Sequence, residues 1–476
     1  MELLFESRTN LAGYRGHLNF VQFKPRIHPE PVLTNDTYAD GAGVTIYGSV
    51  LQDGGRLRMW YHAIPRDWDY RSDMSSIAYA ESVDGIHWTK PALGIVAHGP
   101  EPNNLTNLGL HSATVFIDPE GAPSHRYRAT GCGYKGLFLG HPDVTTYGYY
   151  TAHSADGLRW ELDAPRPRWL SADVITSAWH PGRRSALIAM KYTPRCMRLM
   201  RRSIHTAEFR DGVYGEPVSA LYPDEFDDVR AATRGFHSCD YYGMGMLPAG
   251  QGTVGFLWNY WHELPYTGSE GCPAALYGTC DMTLVYQPEA GGRWFHMPGR
   301  PLFVDHSQVP WARSGWINSA SNVVTVGDEQ RLYFSGTPNS HGFGWTPDWK
   351  PTPKWIDWMK RNLRSGISYA SWPKWRLFGF EADPEGSLTI RLGAVERPSA
   401  LYLNYEVTKA DGLVRAELLD GEGVVLRTLD DCPSLTGDSV AQRVVWRSGD
   451  LLPAAPALAV RLHVENARVY AYELRP

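Results

Sequence analysis

The chain has 476 residues with 43% hydrophobic content, enough to bury a sizeable core and too apolar for a disordered protein. Charged residues make up 20% with a net of −5 and no basic stripe, which argues against a nucleic-acid partner. The first eight residues lack a basic n-region, no apolar run reaches membrane-helix length, and six cysteines without a Cys-x-x-Cys pair signal neither a disulfide scaffold nor zinc. A cytoplasmic protein without membrane contact is the expectation.

In chain order, the first informative stretch runs from Ile77 to Pro91. Ile77 to Glu81 alternates as a half-buried strand does, Ser82-Val83-Asp84-Gly85 reads as a turn, and Trp88 returns to the apolar side. The pattern recurs at Ser154-Ala155-Asp156-Gly157-Leu158-Arg159-Trp160, with the same interval from Asp to Asp and from Trp to Trp. A repeat decides the fold before any single element does. Five units follow, each an apolar first strand, an aromatic-rich second strand and an outer strand. Their first strands begin at Gly43, Ser112, Val174, Tyr241 and Ile317. The Asp-Gly turn weakens to Asp211-Gly212 in the third unit and Gly291-Gly292-Arg293-Trp294 in the fourth, and is lost in the fifth.

Units of this length suit four-stranded blades with long loops, so an all-β, five-bladed β-propeller is predicted over residues 1–380. An insert at 340–364, rich in proline and then amphipathic over Lys354 to Lys360, predicts one short helix. Beyond about Glu381, Trp becomes rare and short alternating strands follow, with a turn at Asp420-Gly421-Glu422-Gly423. That predicts a C-terminal β-sandwich over 381–476. The sandwich and the 340–364 insert are the candidate homo-oligomer surfaces. Eighteen Trp and 26 Tyr supply inter-sheet filler, and some could stack on sugar rings.

Met59-Trp60-Tyr61, the Ala80-to-Trp88 strand and turn, and Tyr241-Tyr242-Gly243-Met244 resemble the five-bladed propeller glycosidases of glycoside hydrolase families 32, 43 and 68. The likeness is nearest to uncharacterised family-32-like proteins, which also carry a sandwich after the propeller. The family-32 signatures Trp-Met-Asn-Asp-Pro, Arg-Asp-Pro and Glu-Cys do not occur.

The resemblance implies catalytic carboxylates where innermost strands begin, around an axial mouth. One acid protonates the leaving oxygen while another activates water or attacks the anomeric carbon. Those positions hold Asp40, Asp173 and Asp240, with Glu263 on a loop after the fourth unit's second strand. On this reading Asp40 is base or nucleophile, Asp173 orients and tunes, and Asp240 or Glu263 is the acid. The ordinary alternative is that each Asp forms a turn. Sugar contacts are expected from His111, His237, Arg66, Arg71, Asn318 and Trp316, with no metal and no cofactor. The substrate class is a small glycoside or oligosaccharide. A non-catalytic sugar-binding propeller, a lyase with a His or Tyr base, and a phosphorylase drawing on Arg66, Arg71, Arg230, Arg234 and His237 are the alternatives.

Overall fold

A computed structural model of the chain describes all residues except 6–10, 70–75, 134–145, 172, 193–194, 197–198, 266–275, 314 and 345–351, and omits the side chains of 195–196 and 199–200. The fold is mostly β. The first unit is Gly43–Asp53, Arg56–Ile64 and Ser76–Ser82 in an antiparallel meander. Its hairpin turns on Gly54 and Gly55, both at positive φ, where a side chain would be strained. The second unit is His111–Ile117, Tyr127–Gly133, Gly148–Ser154 and Glu161–Leu162. In the third, Ile175–His180, Ser185–Tyr192 and Ser203–Arg210 are followed by two short outer strands, Val213–Tyr214 and Val218–Leu221. The fourth has Cys239–Ala249, Gly252–His262 and Gly278–Gln287.

The fifth unit, Trp316–Ser319, Glu329–Thr337 and Gly366–Pro373, is completed from the other end of the chain. Arg26–Ile27 and Leu33–Thr34 pair with Gly366–Pro373 as its outer edge. Sequence periodicity did not anticipate this, because two-residue strands carry no alternation to read.

Hydrogen bonds, four of the five through small polar side chains, tie the five units into a circuit. The Val115 N–H donates to Ser49 Oγ at 2.8 Å, and Thr114 Oγ1 meets Ser177 Oγ at 3.0 Å. Thr176 Oγ1 donates to the Met244 carbonyl at 2.6 Å, and the Met246 N–H to the Ser321 carbonyl at 2.9 Å. Ser321 Oγ then returns to Ser49 Oγ at 2.6 Å. Each bond joins one unit to the next, and the last joins the fifth to the first.

The repeated Asp-Gly turn is a second tie. Asp84 Oδ1 accepts the Ile86 and His87 N–H groups, both at 2.8 Å, and the Gly85 carbonyl accepts Trp88 Nε1 at 3.2 Å. Asp156 and Gly157 repeat the pattern with Leu158, Arg159 and Trp160. The same glycine carbonyl reaches the neighbouring unit: Gly157 O accepts Trp60 Nε1 at 2.6 Å, and Gly85 O accepts Tyr333 Oη at 2.7 Å. The turn is therefore structural, as its recurrence predicts. Buried Trp60, Trp258 and Trp372 fill the spaces around these ties.

Among the described residues, two α-helices stand outside the strands. Pro353–Asn362 falls where the amphipathic insert predicts it, capped by Thr352. Glu225–Thr233 was not foreseen, although Asp224 and Asp227 form a reciprocal capping box at its start. The C-terminal strands join one eight-stranded antiparallel sheet with its own apolar core. The 21-residue strand Ala455–Arg475 runs through it, and Glu2–Leu3 and Leu11–Gln22 from the N-terminus pair into the same sheet. Asp420 caps the predicted turn, accepting the Glu422 and Val424 N–H groups at 2.9 and 2.8 Å.

Candidate active site

The circuit has two ends. Where the first strands finish lies a cavity of about 260 Å³ lined by Leu51, Phe116, Trp179, Pro248 and Val323 among others, with no titratable side chain. Acid–base chemistry needs the other end, where the first strands begin. There the ladders break register between Thr45 and Ser49, between His111 and Thr114, and between Tyr241 and Gly243. A bulge re-aims side chains, and these turn Tyr47, His111 and Tyr242 toward one another. Ser112 and Asp173 have φ of 51° and 87°, in the left-handed region that non-glycine residues avoid. Such strain gathers where the surrounding structure must hold a side chain in place.

Asp173 is the hub. Its Oδ1 meets His111 Nε2 at 2.9 Å, and its Oδ2 accepts the Tyr242 hydroxyl at 2.9 Å and the Lys191 ammonium. Its backbone N–H donates to Cys132 Sγ at 3.2 Å. The second, third and fourth units thus converge on one carboxylate. Burial works to raise the Asp173 pKa, but the Lys191 and His111 charges and hydrogen bonds outweigh it and hold the group well below the usual carboxylate range. Lys191 Nζ stands 4.0 Å from the Tyr242 ring centroid, and burial lowers its pKa against the pull of Asp173.

Asp240 is a second buried acid. His262 Nε2 lies 3.1 Å from its Oδ2, with Arg202 at 3.4 Å from the same oxygen and Arg201 at 3.2 Å from Oδ1. Burial pushes its pKa up, and His262, Arg202 and Arg201 bring it below the ordinary value. The Arg202 guanidinium lies over the rings of Tyr242 and Tyr260 at 5.2 and 4.8 Å, which links the two acids. The fifth unit adds an aromatic wall: Trp316 packs against Tyr242 at 4.8 Å, Tyr260 at 5.5 Å and His341 at 5.1 Å between centroids. From the first unit, Tyr47 stacks on Trp258 at 6.0 Å and approaches His111 at 5.7 Å.

The predicted residues divide. Asp173, His111, Asp240 and Trp316 meet in this cluster. Asn318 lies beside Trp316, accepting its Nε1 at 3.0 Å, with its own buried Nδ2 unpartnered among the described residues. Glu263 stands at the edge, exposed, near the Ser340 that precedes His341. The protein packed around Glu263 raises its pKa, with the Ser340 hydroxyl pulling the other way. His237 is exposed next to the Asp240 strand, and its N–H donates to the His262 carbonyl at 2.9 Å. Arg66 is exposed over the Tyr38 ring, and Arg71 lies outside the described residues.

Asp40 differs from its expected role. It is fully buried, and both oxygens are engaged: Oδ1 by the Thr37 N–H and hydroxyl at 2.9 and 2.8 Å, Oδ2 by Tyr61 Oη at 2.9 Å and Lys90 Nζ at 2.6 Å. These partners belong to the body of the first unit. An Asp before Gly41 at a strand start is equally a turn-former, and that role prevails here.

Lys191, Arg202, Tyr242, Tyr260 and His341 were not singled out as site residues by the sequence. The available signal was Lys191, a charge ending the apolar strand Ala186 to Met190. One further acidic group, Asp281 with Asp305 and His306, has spacing a cation could use. Asp281 instead accepts His306 Nδ1 at 2.6 Å, Arg234 at 2.7 Å and Trp261 Nε1 at 2.9 Å, so its oxygens serve packing.

No family model and no curated protein matches the chain. Among solved structures it is similar to a glycosyl hydrolase from Bacteroides ovatus, at 12% identity, covering 74% of this chain and 94% of that one, with a TM-score of 0.43. It is also similar to a protein of the GH130 family, described as mannoside phosphorylases that include hydrolases of β-1,2 mannosidic linkages in Candida mannan. That match has 13% identity, 78% and 96% coverage and a TM-score of 0.41. An N-acetylgalactosamine deacetylase from F. plautii matches at 14% identity, 76% and 97% coverage and a TM-score of 0.43. Likenesses at this level carry no chemistry over, so the site is read from its own geometry.

Proposed function

We propose that the five units are the blades of a five-bladed β-propeller, followed by a C-terminal sandwich, and that the axial mouth is a glycoside hydrolase site for a small glycoside or oligosaccharide. The observation that carries this reading is the convergence on Asp173 of His111, Lys191 and Tyr242 beneath the Trp316 and Tyr260 wall. Hydrolysis at an anomeric carbon needs one ionised carboxylate and one carboxylic acid, so two groups must have pKa values driven apart. Asp173 is driven down and Glu263 up. Asp173 is accordingly the base or nucleophile and Glu263 the acid. His111 and Lys191 fix Asp173, and Asp240 holds Arg202. The aromatic wall offers ring faces on which a sugar can stack.

Tyr242 is poorly suited to act as a lyase base, because burial and Asp173 hold its hydroxyl far above its ordinary pKa. The test is turnover across a panel of oligosaccharides and aryl glycosides by wild type and Asp173→Asn. Loss of about 10²–10⁴-fold with the fold intact is expected. Near-normal turnover in Asp173→Asn removes the assignment. Glycan binding by calorimetry without turnover in wild type establishes the non-catalytic alternative.

A further inference from the structure

Three side chains from different units form a hydrogen-bonded line through the site. Asp173 Oδ2 lies 2.9 Å from Tyr242 Oη, which lies 3.1 Å from His341 Nε2. His341 Nδ1 lies 2.5 Å from the Leu276 carbonyl and 3.4 Å from Tyr260 Oη. A carbonyl only accepts, so Nδ1 carries a proton to meet it. In neutral His341 the Nε2 atom then has none. The Tyr242 hydroxyl has one proton and two acceptors in reach, Asp173 and Nε2. Both contacts are satisfied together only when one more proton is present.

We propose that Asp173, Tyr242 and His341 are a proton relay that takes up the proton Asp173 removes during turnover. The proposal rests on the hydrolytic reading of the mouth. Asp173 takes a proton from the attacking water. The Asp173 O–H proton passes to Tyr242 Oη as the Tyr242 hydroxyl proton passes to His341 Nε2. Asp173 returns to a carboxylate, Tyr242 is unchanged and His341 becomes an imidazolium. No oxidant, reductant or further reactant is needed. Tyr242 and His341 are positioning residues that act through Asp173.

The surroundings fit a transient charge. Asp173 also faces His111 and Lys191. Tyr242 faces Lys191, Arg202, Tyr47 and Tyr260. His341 faces Trp316 and Tyr260, and the charges of Arg202, Lys191 and Asp173 reach it. Burial and then Arg202 bring the His341 pKa down to about 4, while Asp173 is held well below its ordinary 3.8. The proton therefore moves from Asp173 toward His341, and His341 then gives it up readily to solvent.

Nuclear magnetic resonance of the intact apo protein with ¹⁵N-labelled histidine tests this without a substrate. In Tyr242→Phe, which loses only the hydroxyl, neutral His341 should keep the Nδ1–H tautomer that the Leu276 carbonyl fixes, and its titration should fall by about one pH unit. An unchanged titration in Tyr242→Phe overturns the relay. A second variant, His341→Gln, replaces the imidazole with an amide that does not titrate. With ¹³C-labelled aspartate, the Asp173 carboxyl should then lose the inflection that tracks His341, and retention of that inflection overturns the relay as well. These readouts stand whether or not any glycoside is cleaved, so failure of the relay and failure of the hydrolase reading are separable.

Discussion

The hydroxyl of Tyr333, in the fifth unit, donates to the carbonyl of Gly85, in the outer turn of the first, at 2.7 Å. Arg331 Nη1 adds a second bond to the adjacent Asp84 carbonyl at 2.8 Å. These contacts join residues far apart in the chain, and they repeat what Trp60 does for Gly157 one unit on.

Tyr333→Phe removes one buried donor and leaves the Gly85 carbonyl short of a partner. A loss of about 1–2 kcal/mol is expected. Asp84→Ala should cost about as much, because the turn loses the acceptor for two N–H groups. Urea titration followed by fluorescence checks both. A midpoint unchanged in each variant would show that the turn is not a tie.

Glu263→Gln separates the role of the acid from that of Asp173. With the acid lost, cleavage of poor leaving groups such as sugars should fall about 10²-fold or more, whereas a 2,4-dinitrophenyl glycoside should be spared. Steady-state rates on the two substrate types decide it, and an equal fall on both assigns Glu263 another role. In wild type, cleavage of sugar leaving groups should also decline as pH rises through the raised Glu263 pKa.

Buried His180 makes stability depend on pH. Its Nε2 lies 2.8 Å from the Gly252 carbonyl and its Nδ1 accepts the Arg183 N–H at 3.2 Å, and burial brings its pKa down to about 4. The unfolded chain therefore binds a proton that the folded chain refuses between about pH 6.5 and 4. Stability is full above that window and falls as pH drops through it, by about 2–3 kcal/mol for this residue. Unfolding midpoints at pH 7 and pH 4.5 should differ less in His180→Asn than in wild type. An identical pH slope in the two would rule this source out.

Asp173 makes stability depend on pH in the same direction, at lower pH. Its folded pKa is depressed, so its contribution is present above the ordinary carboxylate value and is lost as pH falls through the depressed one. Asp173→Asn should flatten the stability curve below about pH 4 relative to wild type. Acid unfolding followed by circular dichroism measures it, and superimposable acid limbs would exclude a folding contribution from the ion cluster.

The unit order was legible because Asp84 and Trp88 recur at Asp156 and Trp160 with the spacing a structural turn demands. Asp173, His111, Asp240 and Trp316 were legible for a related reason: they stand where first strands begin, and those starts converge. Lys191 and Tyr260 end or line second strands, Arg202 opens a third, and His341 lies in the insert. Their meeting depends on how the units are arranged around the mouth, which no local pattern encodes. Asp40 misled because turn chemistry and catalytic chemistry favour the same residue before a strand. The N-terminal strands at 26–27 and 33–34 were hidden because their partner lies more than 330 positions on.

That last pairing has a kinetic side. Residues 26–34 leave the ribosome more than 330 residues ahead of their partner Gly366–Pro373. The fifth unit cannot be completed until that partner emerges. Contacts of such long sequence separation make for slow folding and for intermediates prone to aggregate. Expression yield should therefore respond more strongly to temperature and chaperone supply than the stability of the finished protein would suggest.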